Sequence, residues 1–459
     1  MSTAKKKATA KRQEATEPLR VGLARNVITP PPGVALAGYF NPRFNRGLHD
    51  DLCVRVCLFQ QGALTAGVVQ FDLLEIPRWL YGKLRQRFND VQKGLGENLI
   101  IAATHTHTGP EMRAARDARH QHALDLIVEQ AEAAVRTALW RFVPVEIQAV
   151  SVVNNPLAYN RRYWMKNGKV VTNPGKLNPE IVSPEGPVDR QVHALLFLGD
   201  GQPIGAIVNL SNHTDTIGDD LVSADWPGFL ERALQSALGL QIPVLTLVGA
   251  SGNINHFDVT SAQGQTCYAE ARRLGEGYAE IILRSLEDAT AVPPAPLAVG
   301  RATFKLHKRA IAAAELRQAK ALLEKTAEAD GVFTSEDLAR GAPAVLRFFA
   351  EELLAFAKDE AGTVVDFPVT AIRLGADTAI LSLPGEPFAE IGMAVRAGSP
   401  LKRTLVASNA NGYAGYIALD ECFERGGYEP LPVADGGADK GMAQALQASA
   451  MEALRGAVP

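Results

Sequence analysis

Short apolar runs alternate along most of the chain with stretches whose apolar residues recur every three to four positions. A run of four to eight apolar residues bounded by turn formers reads as a buried strand, and the 3.6-residue period reads as an amphipathic helix. The pattern predicts strands over Leu52–Gln60, Leu64–Phe71, Asn98–Ala103, Pro144–Val150, Val192–Leu198, Ile204–Leu210, Pro243–Val248, Phe367–Arg373 and Thr378–Leu383. It predicts helices over Trp79–Lys93, Gln121–Trp140, Pro227–Leu238, Tyr268–Leu286 and Phe388–Arg396. Strands and helices that alternate in this way specify an α/β fold.

One segment breaks the rhythm. Residues 310–362 are rich in Ala, Glu, Leu and Lys at helical spacing, and read as a helical hairpin inserted between strands and packed on the outside. The Pro-rich run Ala291–Gly300 before it reads as a stiff connector. Residues 1–19 are basic, have no apolar core of a signal peptide, and read as a disordered tail; residues 20–459 form the folded part.

Composition narrows the class. The 459 residues include 47% hydrophobic and 21% charged residues, as in globular proteins. With 47 basic residues against 50 acidic, nothing favours a nucleic-acid or anionic-membrane partner. No apolar run approaches the ~18 residues of a membrane span. Four cysteines, Cys53, Cys57, Cys267 and Cys422, suggest no disulfide framework and read as buried thiols of a cytoplasmic protein.

Candidate chemistry gathers at strand ends. "LIIAATHTHTGPEM" closes an apolar run with His105 and His107, which would face the same way on a strand. "AIVNLSNHTDT" repeats the pattern with His213. Imidazole is the commonest metal ligand near neutral pH, and small neighbours leave room for an ion and a substrate. In "AILSLPGEPFAEIG" the acid Glu386 reads as the start of a helix, where a carboxylate stays charged. "NANGYAGYIALDECFERGGYEP" holds Tyr413, Tyr416 and Tyr428 in a glycine-rich setting, able to offer phenol oxygens to an ion or an oxyanion. Asp72 reads as a hydrogen-bonding group near the site, with His49 and Asp50 lining the cleft. His120 and His122 read as solvent-facing, and His193 and His307 as structural.

These pieces occur in an order that resembles the catalytic domain of the neutral ceramidase family. The resemblance runs from "VGLARNVITPPPGVALAGYFNP" and "GLHDDLCVR" through "THTHTGP", "YNRRY", "SNHTDT", "SADWPGF", "GASGNIN" and "LPGEP" to "YAGY" and "GGYE". It implies mixed β-sheets flanked by helices and one zinc ion per chain. It places that ion on His105, His213, Glu386 and Tyr416, with His107 beside the attacking water. The family's active-site arginine and tyrosine correspond to Arg161, with Arg162 adjacent and not separable from it, and to Tyr428.

The pattern breaks at "GNINHF". Asn255 stands where ceramidases carry a serine, and an amide cannot act as an alkoxide nucleophile. His256 follows it and is a candidate for local hydrogen bonding or proton transfer. The chain runs to Pro459 without the immunoglobulin-like domain of ceramidases, so a soluble small-molecule substrate is expected rather than ceramide. The resulting expectation is a zinc-dependent hydrolase that cleaves a non-peptide amide by attack of metal-activated water. An esterase or lactonase, and a non-catalytic metal-bearing binding protein, are the alternatives.

Overall fold

The computed structural model describes residues 17–39, 42–112, 115–326, 335–432 and 436–458. The first sixteen residues of the expected tail, and 327–334 of the expected insertion, lie outside the described residues.

Three β-sheets share one plan. The first runs Leu99–Ala103, Leu64–Phe71, Cys53–Gln61, Arg20–Val27 and Val143–Pro144 in spatial order. The second runs Val244–Val248, Gln202–Leu210, Gln191–Gly199, Glu146–Val153 and Thr290–Ala291. The third runs Ala298–His307, Val364–Arg373, Thr378–Ser382 and Arg403–Ala407. Each is mostly antiparallel and ends in one parallel pair, 64–71 with 99–103, 202–210 with 244–248, and 378–382 with 403–407. The fold is therefore α/β with mixed sheets.

Side-chain alternation explains why the strands read as continuous apolar runs. In Cys53–Gln61, Val54, Val56 and Leu58 pack outward against the helices Arg78–Val91 and Ala118–Trp140. Cys57 and Phe59 point the other way, into a central core shared with Leu195 and Ile207 of the second sheet and Ile380 and Leu405 of the third. The second sheet buries its outer face under Asp225–Leu238 and Tyr268–Arg284, and the third under Ala389–Gly398 and Met442–Gly456. A strand buried on both faces needs no polar side.

The sheets are stitched where their parallel strands end. Asn209 Nδ2 donates to Leu247 O and to Val406 O, both at 2.7 Å, tying the second sheet to the third. Asn411, in a left-handed conformation at φ 59°, donates its amide to Ile101 O and accepts from Ile101 N, at 2.8 and 2.9 Å. Arg55 joins the first sheet to the second layer: it pairs with Asp72 at 2.8 Å and with Glu231 of Asp225–Leu238 at 2.6 Å, all three buried. The carboxylate of Asp72 is thus taken up by Arg55.

Several expectations change. Ala298–Gly300 opens a ten-residue strand instead of ending a connector. Among the described residues, the segment between that strand and Val364–Arg373 carries the helices Ala313–Lys325, Ser335–Arg340 and Pro343–Asp359. Cys267 is exposed, unlike the three buried thiols, because it precedes the first turn of Tyr268–Arg284 at the surface. His120 is buried rather than solvent-facing, since Nε2 meets Glu111 O at 2.6 Å. Among the described residues no helix is long and apolar enough to cross a membrane.

Replacing Arg55 by Ala strands two buried carboxylates. A loss of about 3–5 kcal/mol in unfolding free energy is expected by urea denaturation. A loss below about 1 kcal/mol would show that the network does not hold the first sheet to the second.

Candidate metal centre

Three loops, each following a strand of a different sheet, bring three lone-pair donors together. His105 lies two residues past Ala103, His213 three past Leu210, and Glu386 four past Ser382. The carboxyl ends of parallel strands are where open α/β sheets place ligand sites.

His105 does not continue the strand. The strand stops at Ala103 and His105 adopts a left-handed φ of 67°, so His105 and His107 meet through a turn, not through strand alternation. A non-glycine residue in that region costs about 1–2 kcal/mol unless its surroundings fix it. Here the amide of His105 donates to Leu73 O at 2.9 Å, and Nδ1 donates to Leu74 O at 2.8 Å. Nδ1 is thereby taken up by the carbonyl, and Nε2 is the nitrogen that faces His213 and Glu386. His213 is held in the same manner, with Nδ1 facing Ser251 O at 3.3 Å and its carbonyl accepting from the Trp226 indole at 2.9 Å.

Glu386 is not in a helix. It pairs with Tyr416 in a two-residue parallel bridge, and the helix begins at Ala389. The backbone there is tight. A Cβ on Gly252 would fall 2.3 Å from Glu386 O, and Gly385, at φ 65°, leaves the same 2.3 Å to Gly415 O. Tyr413 donates its hydroxyl to Glu386 Oε1 at 2.6 Å, which turns Oε2 toward the histidines. Tyr413 was only one of three loop tyrosines in the sequence; the spacing of a glycine-rich loop could not single it out.

The donors form a near-regular triangle. His105 Nε2 and His213 Nε2 are 3.1 Å apart, and Glu386 Oε2 lies 3.3 Å from the first and 3.5 Å from the second. Ligands of a tetrahedral ion with bonds of about 2.0–2.1 Å sit about 3.3–3.4 Å from one another. Glu386 Oε2 is buried without a hydrogen-bond partner. His107 completes a group of three buried histidines, with ring nitrogens within 4.8 Å, that could hold a metal ion. The shorter set, with Glu386, matches the tetrahedral edge more closely than the wider three-histidine set.

Charge supports a cation here. Burial alone would raise Glu386, but His105, Arg161 and the Tyr413 hydroxyl outweigh it and hold its carboxyl at about 2. His213 is pushed well below the usual imidazole range, by burial first and then by Arg161 and its two histidine neighbours. His107 is lowered likewise, by burial and then by His105. His105 is raised despite burial because Glu386 favours its charged form.

Around the triangle the arginines separate. Arg161 Nη1 reaches within 3.4 Å of His213 Nε2, and its guanidinium lies over the rings of Tyr416 and Tyr428 at 5.3 and 5.4 Å. Its Nη2 is buried without a partner. Arg162 turns away, pairing with Glu185 and Glu429 and donating to Gly426 O. Glu429, which the sequence reading passed over beside Tyr428, holds both arginines; Arg161 Nε reaches it at 3.2 Å. Two adjacent buried guanidinium groups require such an acid, and that was the signal to follow.

The Tyr416 ring lies under the Arg161 guanidinium and edge-on to Tyr428, with centroids 5.7 Å apart, and its phenol is raised by burial first and then by the Glu386 carboxylate. Asn255 is buried, donates to Asn173 Oδ1 at 2.8 Å and accepts from Phe257 N at 3.0 Å. Its side chain thus bonds to Asn173 and Phe257, not to the histidines. His256 Nε2 meets Gln265 O at 2.6 Å. His49 bonds Asp50 at 2.7 Å and stacks on Tyr268, while His193 meets Ser151 at 2.9 Å.

No protein-family model and no curated protein matches the sequence. Solved structures do share its architecture. Neutral ceramidase from Pseudomonas aeruginosa aligns with a TM-score of 0.69 at 20% identity, over 95% of this chain and 74% of that one. A ceramidase complexed with C2 aligns with a TM-score of 0.69 at 19% identity, over 96% of this chain and 75% of that one. The chain has a neutral-ceramidase-like fold.

Tyr413→Phe removes the bond that orients the carboxylate. Metal affinity, measured by competition with a chromogenic chelator, is expected to fall about 10–100-fold with the fold intact. Unchanged affinity would mean that Glu386 Oε2 does not bind the ion.

Proposed function

We propose that this chain is a zinc-dependent hydrolase that cleaves a non-peptide amide bond in a small polar substrate. The observation that carries the reading is the buried triangle of His105 Nε2, His213 Nε2 and Glu386 Oε2, whose oxygen is unpartnered. Those three residues and Tyr416 would hold the ion. Two nitrogens and two oxygens suit zinc. Bound zinc acts as a Lewis acid and brings the pKa of a coordinated water from about 15.7 to about 7.

The surrounding residues supply the other roles. Arg161, with Nη2 free and buried, and Tyr428 beside it are placed to take up charge developing on the carbonyl oxygen. His107, both of whose nitrogens lack a hydrogen-bond partner, moves a proton from the attacking water to the leaving nitrogen. Glu429 keeps Arg161 in place. Asn255 offers no nucleophilic oxygen, and its bonds to Asn173 and Phe257 shape the neighbouring loop, so water is the nucleophile.

The wall beyond His107 is polar. Tyr39, Arg43 and Asp215 line it, with Tyr39 donating to Asp215 at 2.5 Å and Arg43 stacked over the Tyr39 ring at 4.1 Å. Such groups suit a polar acyl amine more than a lipid chain. The four free thiols fit a reducing compartment, and we place the protein in the cytoplasm.

Elemental analysis and turnover of an N-acyl amide and ester panel test the reading together. About one zinc per chain is expected, with turnover abolished by chelation and restored by zinc. His213→Ala is expected to lose the metal and at least ~100-fold in turnover. A full zinc complement without turnover of any amide or ester would make the chain a binding protein. Turnover of short-chain ceramide above that of every polar amide would overturn the substrate class.

A further inference from the structure

His107 is buried and its two ring nitrogens are unsatisfied, yet its ring is firmly held. Gly38 lies against it, so close that a Cβ there would sit 2.5 Å from Cγ and Nδ1. Tyr39 meets the ring edge-on, with centroids 5.5 Å apart. The His107 amide donates to Thr214 O at 3.3 Å, and Arg43 donates to its carbonyl. On its far side stands Asp215, whose Oδ1 lies 3.5 Å from Nδ1 and accepts the Tyr39 hydroxyl at 2.5 Å. Tyr39 directly follows Gly38, and Asp215 lies two residues past His213 in "SNHTDT".

We infer that Asp215, fixed by Tyr39, is the positioning residue for His107: it draws the proton to Nδ1 and leaves Nε2 facing the cleft. The inference rests on the reading that His107 serves the leaving group. What Asp215 sets is the tautomer and direction of the ring. A contact of 3.5 Å becomes a hydrogen bond by a small rotation, and such bonds commonly tighten only with substrate in place. An imidazole pinned through one nitrogen presents the other in a single orientation, as metal-bound histidines do through their backing carbonyls. His105 and His213 are pinned by carbonyls; His107 alone of the three is backed by a carboxylate.

The reaction balances with groups already named. The water oxygen bonds to the carbonyl carbon while one water proton passes to Nε2. The C–N bond then breaks with its electron pair on nitrogen, and Nε2 returns the proton there, giving a carboxylic acid and an amine. A poor leaving group such as an alkylamine needs that proton; p-nitrophenolate does not.

Two measurements on the full chain test this. In protein labelled with 15N-histidine, His107 is expected as the Nδ1–H tautomer, and Asp215→Asn is expected to shift it to Nε2–H. Against an alkyl amide and a p-nitrophenyl ester of the same acid, Asp215→Asn is expected to lose at least tenfold more kcat on the amide than on the ester, with zinc content retained. Should Asp215→Asn fail to fold, Tyr39→Phe keeps the carboxylate and is expected to move both readouts in the same direction by less. An unaltered tautomer, or equal losses on amide and ester, overturns the inference and leaves Asp215 a tie between two loops. If the unaltered protein turns over neither compound, the hydrolase reading falls, and the tautomer still decides the orientation.

Discussion

Three lone-pair donors within 3.5 Å of one another, buried away from water, repel unless a positive charge lies between them. That constraint organises the rest of the molecule. His105 is held in a left-handed conformation, Glu386 is turned by a tyrosine hydroxyl, and both histidines are backed by carbonyls. Each device spends stability on the direction of one lone pair. Devices of this kind persist where a site requires them.

The architecture makes the convergence affordable. Three sheets, each covered outside by two helices, share one apolar core, so the ends of their parallel strands are fixed relative to one another by close packing. Asn209, Asn411 and the Arg55 network add directional bonds across the sheet boundaries. A site assembled from loops then acquires the precision of the strands beneath it. The same arrangement lets the walls differ in chemistry: Arg161, Tyr416 and Tyr428 on one side, His107, Asp215 and Tyr39 on the other.

Much of the fold was legible in the sequence because strands buried on both faces are unbroken apolar runs. Leu64–Phe71 has the bounds its pattern specifies. Ala298–His307 escaped because its exposed Arg301, Lys305 and His307 alternate with buried positions behind a proline run. At the site, residue types at strand ends were readable, but geometry was not. The left-handed turn at His105, the bridge that takes Glu386 out of its expected helix, and the choice of Tyr413 as its hydrogen-bond partner all depend on contacts between segments about 30 residues apart. Glu429 was hidden because its partners Arg161 and Arg162 lie 268 and 267 residues away in the chain.

X-ray absorption at the zinc edge of the purified protein tests the central claim most directly. The account predicts two imidazole nitrogens at about 2.0–2.1 Å and oxygen ligands at about 2.0–2.2 Å, with one imidazole lost in His213→Ala. A spectrum without imidazole scattering, or one unchanged by that substitution, would contradict it.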